Sequence, residues 1–200
     1  MASVNYALKE ISCKIVYYGP GMCGKTTNLQ FIHEHIVGDR KGNLVSLATP
    51  GERTLFFDFL PLQAPSIHGF ETKFQVYTVP GQVMYNATRK LVLRAVDGII
   101  FVCDSQWEKM AENVESFRNM KENLATYGYS LETMPYVVQY NKRDLPKIAP
   151  VDYLQYLVNR RQVPWFEVIA TTGVGVFESL DAVCRHVLAH LQSKQQTGAL

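Results

Sequence analysis

From Gly19 to Thr26 the chain reads GPGMCGKT, which fits the pattern G-x-x-x-x-G-K-[ST]. Residues of these types at this spacing suit one chemistry, the gripping of a phosphate chain. Many main-chain N–H groups must converge on the phosphate oxygens, and glycine lets backbone come that close. A helix starting just after the loop adds positive potential at its N-terminus. Lys25 is placed to reach the outer phosphates and the Thr26 hydroxyl to ligate Mg²⁺. The loop residues expected around the phosphates are Gly19, Gly21, Met22, Cys23, Gly24, Lys25, Thr26 and Thr27; Cys23 reads as a small loop residue without a side-chain role. The competing reading is a glycine-rich turn that matches by chance. It loses because an apolar strand precedes the loop and a helical pattern follows it.

A second group, NKRD at Asn141 to Asp144, follows the apolar run PYVVQY. A carboxylate held in the plane of a purine accepts from guanine's ring N–H and exocyclic amine, and adenine offers neither donor there. Sites built around such bonds reject the wrong partner by about 10⁴-fold or more. Asp144 is the base reader, the Lys142 stem lies on the base, and Asn141 ties this loop to the phosphate loop. Alone, NKRD would pass as a polar strand-to-loop turn; after a phosphate loop it points to guanine. A third segment, Ala170 to Gly173, brings Thr171, Thr172 and Gly173 as candidate base-closing residues, although a glycine-rich helix entry would look the same. In TVPGQ, the Gly81 N–H can bond a γ-phosphate and be released when that group leaves. Gln82 is placed to orient an attacking water.

These loops need elements to hold them. Short apolar runs alternate with longer segments of helical period. Strands are expected at Cys13–Gly19, Thr54–Leu62, Phe70–Val79, Gly98–Ser105, Pro135–Tyr140 and Trp165–Ala170. The second and third form a hairpin across QAPSIHG. Helices are expected at Lys25–Ile36, from Asn86, from Trp107 to Gly128, at Pro150–Arg161 and at the C-terminal end. Ser105 is the expected N-cap of the long helix and Gly128 its closing glycine. The last helix carries Phe177, Leu180, Cys184, Val187 and Leu191 on one side. Strand–helix alternation with near-continuous apolar strands gives an α/β chain whose mostly parallel sheet is covered on both faces. Ligands then bind in the loops beyond the strand ends.

Length and composition fit one domain over residues 1–200, with a short flexible tail after about residue 192. A net charge of +2 is too small to argue for nucleic acid or an acidic membrane. The four cysteines lack metal-ligand spacing and suit a reducing compartment. The start, MASVNYALKE, has no signal-peptide pattern, and the tail has no prenylation cysteine. The expected location is cytoplasmic, with any visit to a membrane or cell pole brought about by partners. His186 and His190, and His33 and His35, read as helix residues outside the chemistry.

With its motifs in this order the chain resembles the Ras-like small GTPases, and among them the MglA family of bacterial polarity and gliding motility. KIVYYGPGMCGKTTNLQ, RTLFFDFLPL, YTVPGQVMYNATRKL, QYNKRDLP and TGVGVF carry the likeness, which covers nearly the whole chain. The resemblance implies a three-layer P-loop NTPase fold, a mostly parallel six-stranded sheet flanked by about five helices. It implies GTP hydrolysis to GDP with Mg²⁺, and a Roadblock-type activating partner, an MglB-like homodimer, near the switches. Effectors of polarity and motility would read the nucleotide state, and the chain alone would be a monomer.

In the stretch LATPGERTLFFDF, Thr54 is the candidate second protein ligand of Mg²⁺. The resemblance makes Arg53 a finger acting in cis on transition-state charge when a partner arranges the switches; the competing reading is a solvated loop arginine. Thr78 stands where most small GTPases have aspartate, which implies one negative charge fewer near the metal and a weaker hold on it. The run Leu55, Phe56, Phe57, Phe59 and Leu60 is too apolar for a half-exposed strand; it fills the core, docks a partner or changes register between states. Two other functions compete: a scaffold that binds GTP without useful hydrolysis, and an ATP-dependent enzyme sharing the phosphate loop. Gln82 and Arg53 count against the first and Thr78 slightly for it, and Asp144 counts against the second.

Overall fold

The computed structural model describes residues 3–5, 7–36, 42–49, 53–67 and 69–196. Its strands are β1 (Ser3–Asn5), β2 (Glu10–Tyr18), β3 (Val45–Thr49), β4 (Arg53–Ile67), β5 (Phe70–Thr78), β6 (Gly98–Asp104), β7 (Tyr136–Asn141) and β8 (Trp165–Val168). Its helices are α1 (Lys25–His35), α2 (Asn86–Leu93), α3 (Met110–Ala125), α4 (Val151–Val158) and α5 (Val176–Gln196). The sheet order is β3-β4-β5-β2-β6-β7-β8, and β1 pairs with the first part of β2. The run from β5 to β8 is parallel throughout, whereas β4 joins β5 as an antiparallel hairpin. The six expected strands form the body of this sheet, and the five expected helices flank it. β1 and β3 are additions.

Alternation along the central strands splits the core in two. Ile15, Tyr17, Ile100 and Val102 face α1 and α5, where Leu29, Ile32, Val176, Val183 and Val187 meet them. Val16, Tyr18, Ile99 and Phe101 face the other way, onto Val92, Leu93, Met120, Leu124 and Leu154 of α2, α3 and α4. Every residue of β6 and β7 is buried, as a parallel sheet covered on both faces requires. In α5 the buried stripe is Val176, Leu180, Val183 and Val187, while Phe177 is 36% exposed. The helix is turned by about one residue from the side read in the sequence.

The expected Ser105 cap is not formed. α3 starts only at Met110, after a single 3₁₀ turn over Trp107–Lys109. The Asp104 carboxylate turns the chain instead, accepting from the Gln106 N–H at 3.0 Å. The main chain of Ser105 is used by neighbouring loops, donating to Asn141 and accepting from Ala149. Gly128 does close the helix in left-handed conformation, with φ at +72°. α2 is preceded by a 3₁₀ turn over Val83–Tyr85, so the segment after Gln82 enters its helix gradually. β4 lies next to the edge strand β3. Leu60 and Leu62 fill the core, and Phe59 rests on Tyr77 with ring centroids 4.8 Å apart. The side chains of Leu55, Phe56 and Phe57 lie outside the described residues. Among the described residues no helix is long and apolar enough to cross a membrane.

Candidate functional site

The phosphate loop, the PGQ turn, the NKRD turn and the segment of Thr171 to Gly173 meet at one end of the sheet, beyond the C-terminal ends of the parallel strands β2, β5, β7 and β8; Pro50 to Glu52 lie outside the described residues. The phosphate loop leaves β2 at Gly19 and enters α1 at Lys25. Gly24 is the N-cap, with φ at +102°, a conformation that residues with a Cβ rarely adopt. Asn141 Nδ2 also lies where a Cβ at that position would be, so glycine is required there twice over. Lys25 is folded back over the loop, its ammonium donating to the carbonyls of Gly19 at 3.0 Å and Pro20 at 2.6 Å. Beneath the loop, Asn28 donates to the Gly24 carbonyl at 2.9 Å and accepts from Gln139 of β7 at 3.1 Å. Ser179 Oγ on α5 accepts from the same Gln139 amide at 2.6 Å. This buried chain of side chains fixes the first turn of α1 to the sheet.

A cleft of about 400 Å³ opens over this loop, lined by Gly21, Met22, Gly24, Lys25, Thr26, Thr27, Val79, Gly81, Gln82, Lys109 and Glu112. Gly81 packs directly on the phosphate loop. A Cβ there would fall 2.5 Å from the Gly21 Cα, so the PGQ turn and the phosphate loop are in main-chain contact. Cys23 is buried, and burial pushes its thiol up while the Lys25 ammonium draws it down. Such a sulfur is packing, as the sequence suggested, although its carbonyl has a role described next.

Asn141 ties the loops together. Its Nδ2 donates to the Cys23 carbonyl at 2.8 Å, and its Oδ1 accepts from the Ala170 N–H at 3.0 Å. One amide therefore joins the phosphate loop, the NKRD turn and the segment carrying Thr171, Thr172 and Gly173. Lys142 has φ at +66° and forms an ion pair with the buried Asp104 carboxylate at 2.6 Å. That pairing fixes the lysine stem from below. Asp144 lies exposed in the same turn. Thr171 is exposed, and Thr172 and Gly173 bond back to the Ile169 carbonyl through their N–H groups, at 3.1 and 2.9 Å.

The sequence reading did not include Asp58. It sits in β4, only 1% exposed, and its Oδ2 accepts from the Thr26 hydroxyl at 2.6 Å and from the Thr78 hydroxyl at 2.8 Å. Thr78 Oγ1 in turn accepts from the Asp58 N–H at 2.9 Å. So the position of the missing aspartate is a hydroxyl that holds a carboxylate arriving from the neighbouring strand. A buried carboxylate beside Thr26, the candidate Mg²⁺ ligand, is an acid that the expectation of one negative charge fewer did not count. The signal was a lone acid inside the apolar run FFDFLPL, since aspartate is almost never fully buried unless paired. Hydroxyl and carboxylate oxygens are hard donors of the kind Mg²⁺ takes, so Thr26 and Asp58 fit that ion.

Arg53 and Thr54 open β4, paired with Thr49 and Ala48; their side chains lie outside the described residues. No group of three or more His, Cys, Asp or Glu side chains gathers into a metal cluster among the described residues.

The chain is similar to one family model and to several known proteins. The model of the Ras family matches residues 14–189. The mutual gliding-motility protein MglA of Myxococcus xanthus is 55% identical over 192 residues, which cover 96% of this chain and 98% of that protein. The Ypt/Rab-type GTPase avaA of Emericella nidulans is 22% identical over 195 residues, 95% of this chain and 89% of its own. The Ypt/Rab-type GTPase ypt7 of Schizosaccharomyces pombe is 22% identical over 190 residues, 92% and 86%.

Proposed function

This chain belongs to the Ras family of small GTPases, in its MglA group, and from that premise we propose that it is a GTP-operated switch of cell polarity and gliding motility. The observation that carries the proposal is the amide of Asn141, which joins the phosphate loop to the base loop in one rigid unit. A nucleotide spanning that unit touches both ends at once, and its γ-phosphate lies next to the turn that must sense it.

In this reading the amides of Gly19 to Thr27 and the Lys25 ammonium hold the phosphates. Asp144 reads guanine, Lys142 covers the base, and Thr171, Thr172 and Gly173 close over it. Thr26, Thr54 and Asp58 would hold Mg²⁺, which neutralises charge on the phosphates. Gln82 orients the attacking water, and Arg53 stabilises the charge that develops in the transition state. Turnover without a partner is slow, on the order of 10⁻⁴ to 10⁻² per second, as for Ras-type enzymes. A Roadblock-type homodimer like MglB binds near Arg53 and Gln82 and speeds hydrolysis. Effectors bind the GTP form, and they bring a cytoplasmic protein to a cell pole.

The test is the nucleotide itself. Folded protein denatured in acid should release GDP or GTP, and nucleotide-free protein should bind GDP in calorimetry with ATP giving no heat. Release of adenine nucleotide, or flat titrations with GDP and GTP, would overturn the proposal.

A further inference from the structure

Arginine is among the residues least often buried, yet Arg89 of α2 is 5% exposed. Its Nη1 donates to the carbonyl of Pro80 at 3.3 Å and to that of Gln82. Its Nε donates to Asn119 Oδ1 on α3 at 2.9 Å. The guanidinium is planar and rigid, so fixing Nε fixes the direction of Nη1. One side chain therefore holds the carbonyls on both sides of Gly81. Peptide units are planar, so holding those two carbonyls restrains the units on either side of the Gly81–Gln82 peptide and, with them, the Cα from which the Gln82 side chain starts.

The anchor on α3 is itself tied down. The Tyr18 hydroxyl, at the end of β2 just before the phosphate loop, donates to the same Asn119 oxygen at 2.7 Å. Asn119 Nδ2 donates to Asn86 at 3.0 Å, and Asn123 donates to Asn86 at 2.8 Å and to the Tyr18 hydroxyl at 3.1 Å. An arginine needed only for packing would not require three asparagines and a tyrosine around its point of attachment.

We infer that Arg89 is a positioning residue for Gln82: it clamps the Pro80 and Gln82 carbonyls and takes its own bearing from Asn119. The inference rests on the reading of Gln82 as the residue that orients water. It places no atom of Arg89 on the nucleotide. Small displacements of a reacting group cost up to about 10²-fold in rate, and nucleotide affinity, set elsewhere in the cleft, should not follow.

The experiment is single-turnover hydrolysis of preloaded GTP, with GDP affinity measured on the same preparations. Arg89→Lys keeps the charge but cannot reach both carbonyls and Asn119 together. It should slow hydrolysis by about 10- to 100-fold and leave GDP affinity within about threefold. Added to Gln82→Ala, it should cost less than about threefold more, because the side chain it positions is already gone. Asn119→Ser, which removes the anchor and leaves Arg89 in place, should likewise slow hydrolysis while leaving GDP affinity within about threefold, and decides the matter if Arg89→Lys does not fold. Wild-type hydrolysis in the folded variants, a full further loss on the Gln82→Ala background, or a fall in GDP affinity matching the fall in rate would each overturn the inference. A wild-type rate in Gln82→Ala with Arg89 intact would instead remove the reading of Gln82, and the inference with it.

Discussion

The Asp58 carboxylate accepts a hydrogen bond from the Thr26 hydroxyl at 2.6 Å, across the space between β4 and the first turn of α1. Thr78 holds the same carboxylate oxygen from the other side at 2.8 Å. Two hydroxyls on one buried oxygen fix the direction of the carboxylate. A carboxylate of β4 thus reaches the first turn of α1 alongside Thr78 of the neighbouring strand. β4 also begins with Arg53 and Thr54, so movement of β4 would shift the acid together with them.

Asp58→Asn tests the consequence. The amide keeps the shape and removes the charge, so the hold on Mg²⁺ should weaken while the fold survives. We expect the Mg²⁺ concentration that half-suppresses GDP release to rise by about tenfold, the equivalent of about 1.4 kcal/mol. Stopped-flow release of a fluorescent GDP over a Mg²⁺ series reads this directly. An unchanged midpoint would mean that Asp58 serves only to satisfy the two threonines.

Gln82→Leu should keep GTP bound and lower its hydrolysis by about 10²-fold or more, because an interaction made only in the transition state is lost. Arg53→Ala should act in the same direction, by about 10³-fold or more if the finger is supplied in cis. Both are read from single-turnover assays on preloaded protein, alone and with a Roadblock-type partner. If both variants hydrolyse GTP at the wild-type rate in both conditions, the chain is a GTP-binding scaffold.

The parts of this protein that were legible in sequence are those in which local pattern and global packing agree. GPGMCGKT, NKRD and the near-continuous apolar runs of β6 and β7 point to the same architecture at every level. The outer features were hidden for physical reasons. β1 is three residues long, too short to show a period. The first residues of β2 alternate between half-buried and buried, so the strand begins earlier than its apolar run. Ser105 looked like a helix cap because serine often caps, yet Asp104 takes over the turn. Asp58 and Arg89 were out of reach because their meaning depends on partners far along the chain, Thr26 and Asn119. Spacing motifs record local geometry, and these contacts exist only once the sheet has formed.

Base recognition has a direct test in Asp144→Asn. The amide offers an N–H where the carboxylate accepted, which disfavours guanine's amine and suits xanthine's carbonyl at the same place. Preference should move from GDP toward XDP, by up to about 10⁴-fold when both affinities are compared. Competition binding of the two nucleotides to wild type and variant supplies the numbers. An unmoved preference would remove Asp144 as the base reader and leave the Asn141 bridge without its proposed purpose.

The central strand makes a prediction about alkaline pH. Cys13 of β2 is buried, and burial, with a smaller push from the Asp97 carboxylate, raises its thiol from 9.0 to about 12. The folded state therefore keeps this proton at pH values where the unfolded chain has lost it. Stability from this source is complete below the unfolded value and is lost as pH rises from about 9 through about 12, by up to about 1.4 kcal/mol for each pH unit in between. Buried tyrosines such as Tyr18, also pushed up to about 12, bend the profile the same way, so the difference between two proteins is the useful readout. Cys13→Ala should be less stable than wild type at pH 8, through the lost packing of the sulfur, and should lose less further stability between pH 9 and pH 10.5. Urea midpoints at the three pH values measure it. Parallel profiles for the two proteins would show that the Cys13 thiol is not held protonated by its place in the core.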